Sequence, residues 1–371
     1  MPSLRHLSPL DTDKAARHLA HTEYPLLKEP IPQGSLELPT NESTKGLAAG
    51  LAAAFHAYGK SALGHPTCVV FLVQDGERNV FDQRHLEYAL QADSIPVFRL
   101  PFSEILAHTT IAPSSPGRQL LYRLPHNPAV TFEVAVAYLR AGYGPGDYTT
   151  PSAWEARYQI ERSAAIACPT VLTQLAGMKK VQQVLATPES VSSSTSLSHT
   201  QTPAPPALQR FVPPTSSDPT TLATLWRTFT NIYPMDATTP AGQAARRLAT
   251  DPTACQKYVL KPQREGGGNN FYRSAIPAHL KEIPEARWGS YILMELITPP
   301  PVQNIILRNG KLEQGGVICE LGVYGTCLWD QETGEVLRNE EAGYLLRTKG
   351  DQSEEGGVAA GFGCMDSCRL V

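Results

Sequence analysis

Lys261-Pro262-Gln263-Arg264-Glu265-Gly266-Gly267-Gly268-Asn269-Asn270-Phe271-Tyr272 is the stretch around which the chain is read. It follows Tyr258-Val259-Leu260, a short apolar run with the composition of a strand. Three consecutive glycines then stand among charges of both signs, Lys261, Arg264 and Glu265. Glycine has no Cβ, so the backbone N–H groups of such a loop can come close to an oxyanion. On that reading Lys261 meets phosphate charge, and Glu265 is a hard oxygen ligand suited to Mg2+. A mobile surface hairpin has the same composition. A Walker A loop is excluded, because no Gly-Lys-Ser/Thr follows the glycines.

The 371 residues are enough for two domains, or for one large body with an appended lid. A formal net charge of -3 gives no global attraction for nucleic acid, and none is expected as a partner. No run approaches the roughly 18 apolar residues of a membrane span, and residues 1–10 lack a signal-peptide core. No membrane association is expected. The seven cysteines are scattered and odd in number, and Cys364 and Cys368 have no partner pair at zinc-ligand spacing. Reduced thiols and a cytoplasmic location follow.

Working outward, residues 46–58 read as a buried helix, 69–73 as a strand, 81–92 as a helix and 95–100 as a strand. A short helix at 102–107 and a strand at 132–139 continue the pattern. The alternation implies a parallel sheet with helical cover, in which ligands sit beyond the carboxyl ends of strands. Two polar clusters lie at such ends. Glu77, Arg78 and Asn79, with Asp82 and Gln83, follow one strand; Arg140, Gly142 and Tyr143 follow another. Read alone, they favour capping acids at a helix N-terminus and a solvated arginine over a ligand site.

Two helices are expected at 154–167 and 171–185, the second carrying Lys179-Lys180, a pair that by itself reads as a solvated face. Residues 187–219 are rich in Ser, Thr and Pro and are expected to form a disordered or extended insertion. Helices at 222–232 and 241–249 precede a strand at 291–297 that carries Met294 and Glu295. Strands at 304–307, 316–319 and 322–328 follow, with Asn309-Gly310 as a hairpin signal and Glu320 at a strand end. After Tyr344-Leu345-Leu346 come Arg347-Thr348-Lys349 and a second small-residue loop, Gly356-Gly357-Val358-Ala359-Ala360-Gly361. Two glycine-rich loops separated by such strands suit a nucleotide clamped between a β-rich body and a flexible lid.

Seven ordered motifs then resemble one family. They are Glu77 to Gln83, Trp154-Glu155-Ala156-Arg157, Thr173 to Gln183, Lys261 to Asn270, Tyr291 to Glu295, Leu345 to Lys349 and Gly356 to Gly361. They are similar to those of the eukaryotic-type glutathione synthetases, of the ATP-grasp fold. The resemblance implies an α/β protein: an ATP-grasp nucleotide-binding body with lid loops plus a parallel α/β substrate-binding domain. The implied organisation is an N-terminal remnant (1–45), the substrate-binding domain (46–140), a helical connection (141–186), the insertion (187–219) and the ATP-grasp domain (220–371).

It also implies a reaction: γ-glutamylcysteine, glycine and ATP give glutathione, ADP and phosphate through an acyl phosphate. By position, the ATP contacts implied are Lys179, Lys261, Gly266, Gly267, Gly268, Asn269, Asn270, Tyr272, Met294, Glu295, Leu296, Ile297, Glu320, Lys349 and Glu355. Glu265 is the implied Mg2+ ligand. Dipeptide and product contacts fall on Glu77, Arg78, Asn79, Gln83, Arg140, Gly142, Tyr143, Arg347, Val358 and Ala359. Arg347, Lys349 and Arg140 are the implied catalytic groups, and a homodimer is the implied assembly.

Three departures from the family pattern stand out. Ala141 follows Arg140 where an acid or polar residue is common, and the 187–219 insertion enlarges a surface loop. The third is larger. Family members carry a further N-terminal region with a Glu-x-Asn pair that completes the Mg2+ site, and no such motif occurs before Gly46. Glu37-Leu38-Pro39-Thr40-Asn41 has the wrong spacing and a proline. The expectation is a site that relies on Glu265, with apolar surface left for aggregation or a partner. The alternative function is a catalytically inactive relative that binds nucleotide or glutathione as a regulatory or scaffold subunit.

Overall fold

Helix α1, Ser43–Tyr58, is built from alanine, glycine and leucine, and it buries Ala48, Leu51, Ala52 and Ala54. In the computed structural model, residues 39–77, 79–113, 117–188, 204–212, 220–264, 268–308, 311–354, 358 and 363–366 are described. The Asn309-Gly310 turn and most of the insertion lie outside them. The chain divides into two compact units, residues 1–171 with 301–371, and residues 172–300.

In the first unit, β1 (Thr67–Val73) is buried from its second residue onward. An unbroken apolar run marks a strand covered on both faces. Val70 and Leu72 pack with Leu100, Phe102, Ile105 and Ile160 on one side. Val69, Phe71 and Val73 pack with Leu51, Leu86 and Leu90 on the other. Helix α2 (Val80–Ala92) leads to β2 (Val97–Pro101). β3 (Thr109–Ile111), β4 (Leu120–Leu124), β5 (Asn127–Leu139) and β6 (Ile166–Cys168) complete a sheet of order β2-β1-β5-β4-β3, with β6 beside β5. β2, β1, β5 and β6 run parallel. β3 and β4 add an antiparallel edge, so the sheet is mixed rather than purely parallel.

The helix expected at 154–167 is Pro151–Glu161, here α3, opened by Thr150, whose hydroxyl accepts from the Ala153 N–H. It stops where the Ser163 hydroxyl takes the Ile160 carbonyl at 2.7 Å, and Ile166–Cys168 is drawn into the sheet beside β5.

The second unit shows three more differences. The helix expected at 171–185 is two, Val171–Ala176 and α4, Lys179–Ala186, separated at Gly177 and an extended Met178. The helix expected at 222–232 ends at Trp226, because Ile232–Pro234 forms β7 against β10. After α5 (Pro240–Thr250) and β8 (Tyr258–Pro262) come β9 (Phe271–Tyr272), α6 (Ala275–Glu282) and β10 (Tyr291–Glu295). β10 ends two residues before expectation, where the Leu296 N–H turns to the Lys257 carbonyl at 2.9 Å. The sheet is antiparallel, of order β7-β10-β8-β9. Tyr233, Met235, Ala245, Leu260, Ile276, Leu280 and Leu293 form its core.

The chain then returns to the first unit with β11 (Val302–Arg308), β12 (Lys311–Trp329), β13 (Val336–Gly350) and β14 (Cys364–Asp366), an antiparallel sheet in that order. The strands expected at 316–319 and 322–328 are one strand. The ladder to β13 runs through Glu320 and Leu321, so Glu320 is mid-strand rather than at an end. By packing, these strands group with residues 1–171, whereas the sequence reading grouped them with 220–300. Among the described residues no helix is long and apolar enough to cross a membrane.

Candidate functional site

In the first unit, Glu77 stands just beyond the carboxyl end of β1. One of its carboxylate oxygens accepts from the Asn79 backbone N–H at 2.7 Å and the other from Gln83 Nε2 at 2.6 Å. Arg140 leaves the end of β5, and its N–H continues the parallel ladder to the Leu72 carbonyl at 2.7 Å. Its guanidinium donates to the Tyr138 hydroxyl at 3.4 Å. Burial works against its charge, but the Tyr138 hydroxyl and the carboxylates of Asp82 and Glu77 outweigh it, and the net shift is upward. Arg140 is a fixed cation. The following turn needs Gly142, at φ 78, and is braced by Asp147, which accepts its N–H at 3.0 Å, and by the Tyr148 hydroxyl on its carbonyl at 2.6 Å. Tyr143 is 52% exposed and accepts from Gln74 Nε2 at 2.9 Å.

On the other sheet of this unit, Arg347 of β13 is the direct cross-strand partner of Glu320 of β12, and their side chains form an ion pair. Direct partners in an antiparallel ladder share a face. Lys349 stands on that face by the alternation of the strand, with its ammonium on the Glu354 carbonyl at 2.9 Å.

Sequence reasoning missed Tyr324. It lies four residues along β12 from Glu320, hence on the same face, with only Gly322 between. Between the pairs Val323↔Tyr344 and Gly325↔Glu341 the ladder bulges. Two residues of β13, Ala342 and Gly343, stand there against Tyr324, a local kink that re-aims side chains. Burial and Asp82 push the Tyr324 phenol up, while Arg347 and Arg140 draw it down, and the net shift is upward. It is an O–H donor at neutral pH. The only sequence signal was the spacing 320, 322, 324 in a strand. Asp82, Arg140 and Tyr138 of one sheet's end thus act, with Arg347, on Tyr324 of the other sheet, and Glu77 acts on Arg140.

In the second unit, Lys179 at the start of α4 reaches the main-chain carbonyl of Arg264. The Lys180 N–H donates to Gln263 Oε1 at 2.9 Å, so α4 is tied to the base of the glycine-rich loop. Lys261 lies on β8 opposite Ile292, Gly268 is at φ 82, and Asn270 Nδ2 donates to the Tyr272 hydroxyl at 3.3 Å. Asn269 is described between them.

At the end of β10 the Glu295 carboxylate is used by the fold. It accepts from the Tyr233 hydroxyl at 2.8 Å and from Asn231 Nδ2 at 3.0 Å. The Glu295 side chain is thus taken up within the unit, as are the Glu295 and Leu296 N–H groups, which donate to the Asn231 and Lys257 carbonyls. Burial, then the neighbouring Glu295, pushes the Tyr233 phenol far up. Tyr233→Phe leaves one carboxylate oxygen without its donor and is expected to cost about 1–2 kcal/mol in chemical denaturation.

Of the predicted site residues, Arg78, Glu265, Gly266, Gly267, Glu355 and Ala359 lie outside the described residues, while Val358 is half-buried in a turn. Glu320 and Lys349 lie in the first unit; Lys179, Lys261 and residues 268–297 lie in the second.

Residues 7–370 match the family described as eukaryotic glutathione synthase, ATP binding domain. The chain belongs to this family. It is 37% identical over 345 residues to the glutathione synthetase large chain of Schizosaccharomyces pombe, covering 90% of this chain and 63% of that one. It is 37% identical over 331 residues to the human glutathione synthetase, 88% of this chain and 61% of that one. With the chloroplastic glutathione synthetase of Solanum lycopersicum it shares 35% identity over 351 residues, 93% of this chain and 56% of that one. The chain thus spans less than two thirds of the length of these glutathione synthetases. A solved structure of a glutathione synthetase-like effector from Globodera pallida, in apo form, superposes with a TM-score of 0.65 at 19% identity, covering 100% of this chain and 69% of that one. The two share the glutathione synthetase-like ATP-grasp fold.

Proposed function

We propose that this chain carries out the ATP-dependent ligation of γ-glutamylcysteine to glycine, giving glutathione, ADP and phosphate. The observation that carries it is the pair of arginines whose charges both act on Tyr324, Arg140 and Arg347, with the doubly held Glu77 carboxylate acting on Arg140. A zwitterionic γ-glutamyl dipeptide presents carboxylates and an ammonium group, and this set answers both. Guanidinium binds a carboxylate at two points.

The reaction gathers negative charge. The dipeptide carboxylate attacks the γ-phosphorus to give an acyl phosphate and ADP; the glycine amine then attacks the acyl carbon, and phosphate leaves. Arg347 and Lys349, on one face of β13, offset that charge, with Arg140 holding the dipeptide. Lys179, Lys261 and the loop from Gly266 to Asn270, with Tyr272, bind the phosphates, and the main chain of residues 294–297 binds the base. Among the described residues no three His, Cys, Asp or Glu form a metal site. Mg2+ carried on nucleotide phosphates needs only one or two protein carboxylates, and Glu265 is of the right hard-oxygen type. Bound there, Mg2+ would offset phosphate charge. The second small-residue loop, with Glu355, Val358 and Ala359, excludes water from the acyl phosphate. A cytoplasmic homodimer acting on small molecules completes the proposal.

The test is phosphate release by the purified 371-residue chain. Release is expected only with ATP, Mg2+, γ-glutamylcysteine and glycine together. Release independent of glycine, or none from a folded chain that binds ATP, would overturn the ligase reading.

A further inference from the structure

Helix α2 and strand β2 hold a buried chain of polar side chains that the proposed reaction does not use directly. Glu87, in the middle of α2, is 2% exposed. Its carboxylate accepts from Arg84 Nη1 at 2.6 Å and from Arg99 Nη1 at 2.5 Å. Arg99 comes from β2, where it pairs with Phe71 of β1. Its other terminal nitrogen donates to Gln83 Oε1 at 2.7 Å. Gln83, 1% exposed, passes its amide N–H on to Glu77 at 2.6 Å.

This chain has one direction. A side-chain amide can ordinarily present either end, but guanidinium has donors only, so the Gln83 atom facing Arg99 must be the oxygen. The NH2 group then faces Glu77, which takes it on one carboxylate oxygen. With the Asn79 N–H on its other oxygen, Glu77 receives one donor on each oxygen and keeps lone pairs on both for a bound cation. Burying charge is costly, and an apolar pair would tie α2 to β2 as well. The polar chain instead ends on a carboxylate at the carboxyl end of β1.

We propose that Glu87 and Arg99 are positioning residues: they set the amide of Gln83, and through it aim the Glu77 carboxylate at the ammonium group of the ligand. Gln83 then acts through Glu77. The ligand's identity rests on the function proposed above, whereas the orientation belongs to the ligand-free chain.

Two readouts on the full chain test this. The first is the Gln83 side-chain amide by 15N–1H NMR, assigned with Gln83→Met. Slow exchange is expected in the parent chain, and exposed-amide exchange in Glu87→Met/Arg99→Met, a pair that removes both charges together. The second is calorimetric affinity for γ-glutamylcysteine. The paired variant should bind about tenfold more weakly, the effect of one misdirected charged hydrogen bond. In a Glu77→Gln background the same pair should cause no further loss.

Losses that simply add, or an amide indifferent to the pair, would reduce the network to a structural tie and overturn the proposal. A protected amide that the pair releases, in a chain that binds no dipeptide, would remove the proposed substrate and leave the orientation of Glu77 standing. If the paired variant does not fold, Arg99→Lys keeps the charge but lacks the fork that reaches both Glu87 and Gln83. It should give the same pattern at smaller size.

Discussion

Arg347→Ala is expected to lower kcat/KM for glycine-dependent phosphate release by about 100- to 1,000-fold, equivalent to about 3–4 kcal/mol. Two effects add. The guanidinium that would hold a substrate carboxylate or offset the transferring phosphoryl charge is gone. In addition, Glu320 loses its ion-pair partner and stays as a bare carboxylate on the face where anionic groups must gather. Arg347→Lys restores charge without two-point geometry and should recover only part of the rate. The fold should hardly notice, because the Arg347 side chain is 39% exposed and its pair is a surface one, worth about 1 kcal/mol or less. Steady-state kinetics with a thermal melt on the same preparation checks both halves. A melt as depressed as the rate would mean that Arg347 serves the sheet rather than the substrate.

What the sequence made legible follows the range of the forces involved. The run that became β1 was clear because burial on both faces leaves an unbroken apolar string. Arg140, Glu77 and Arg347 were found at strand ends and in ordered motifs. Long-range features were not visible. Glu87 with Arg84 reads as an exposed i,i+3 helix pair, and only the arrival of Arg99 from β2 shows it to be buried. Tyr324 reads as an ordinary strand aromatic until the fold sets it opposite the bulge in β13 and in the field of two arginines. Helix lengths failed for the same reason: a helical period continued past Glu161 and Trp226, where the next residues were needed as sheet partners. Where residues 301–371 group with the first unit, α1 approaches β12 and β13 closely at two glycines, which spacing alone does not reveal.

That pair gives the largest expected effect on stability. Gly46 and Gly50 lie one turn apart on α1. A Cβ on Gly46 would stand 2.7 Å from the Ala342 Cα, and one on Gly50 would stand 2.5 Å from the Thr326 methyl. Replacing a helix-interior glycine by alanine ordinarily stabilises by about 1 kcal/mol. Here the sign should reverse. Ala342 is backbone and cannot swing aside as a side-chain end could, so α1 and β13 must separate.

Gly46→Leu is expected to cost about 3 kcal/mol, as overpacking does, and to lower the melting temperature by about 10 °C. Gly46→Ala should fall between it and the parent. Lys45→Leu, next to Gly46 but on the exposed side of α1, carries the same leucine without the clash and should melt within a degree or two of the parent. Because β13 also bears Arg347, the loss should not be confined to stability. Displacing the strand at Ala342 moves the bulge opposite Tyr324, and the KM for the dipeptide should rise even well below the melt. A Gly46→Leu chain that melts early but binds the dipeptide as the parent does would show that the site does not depend on how β13 sits against α1.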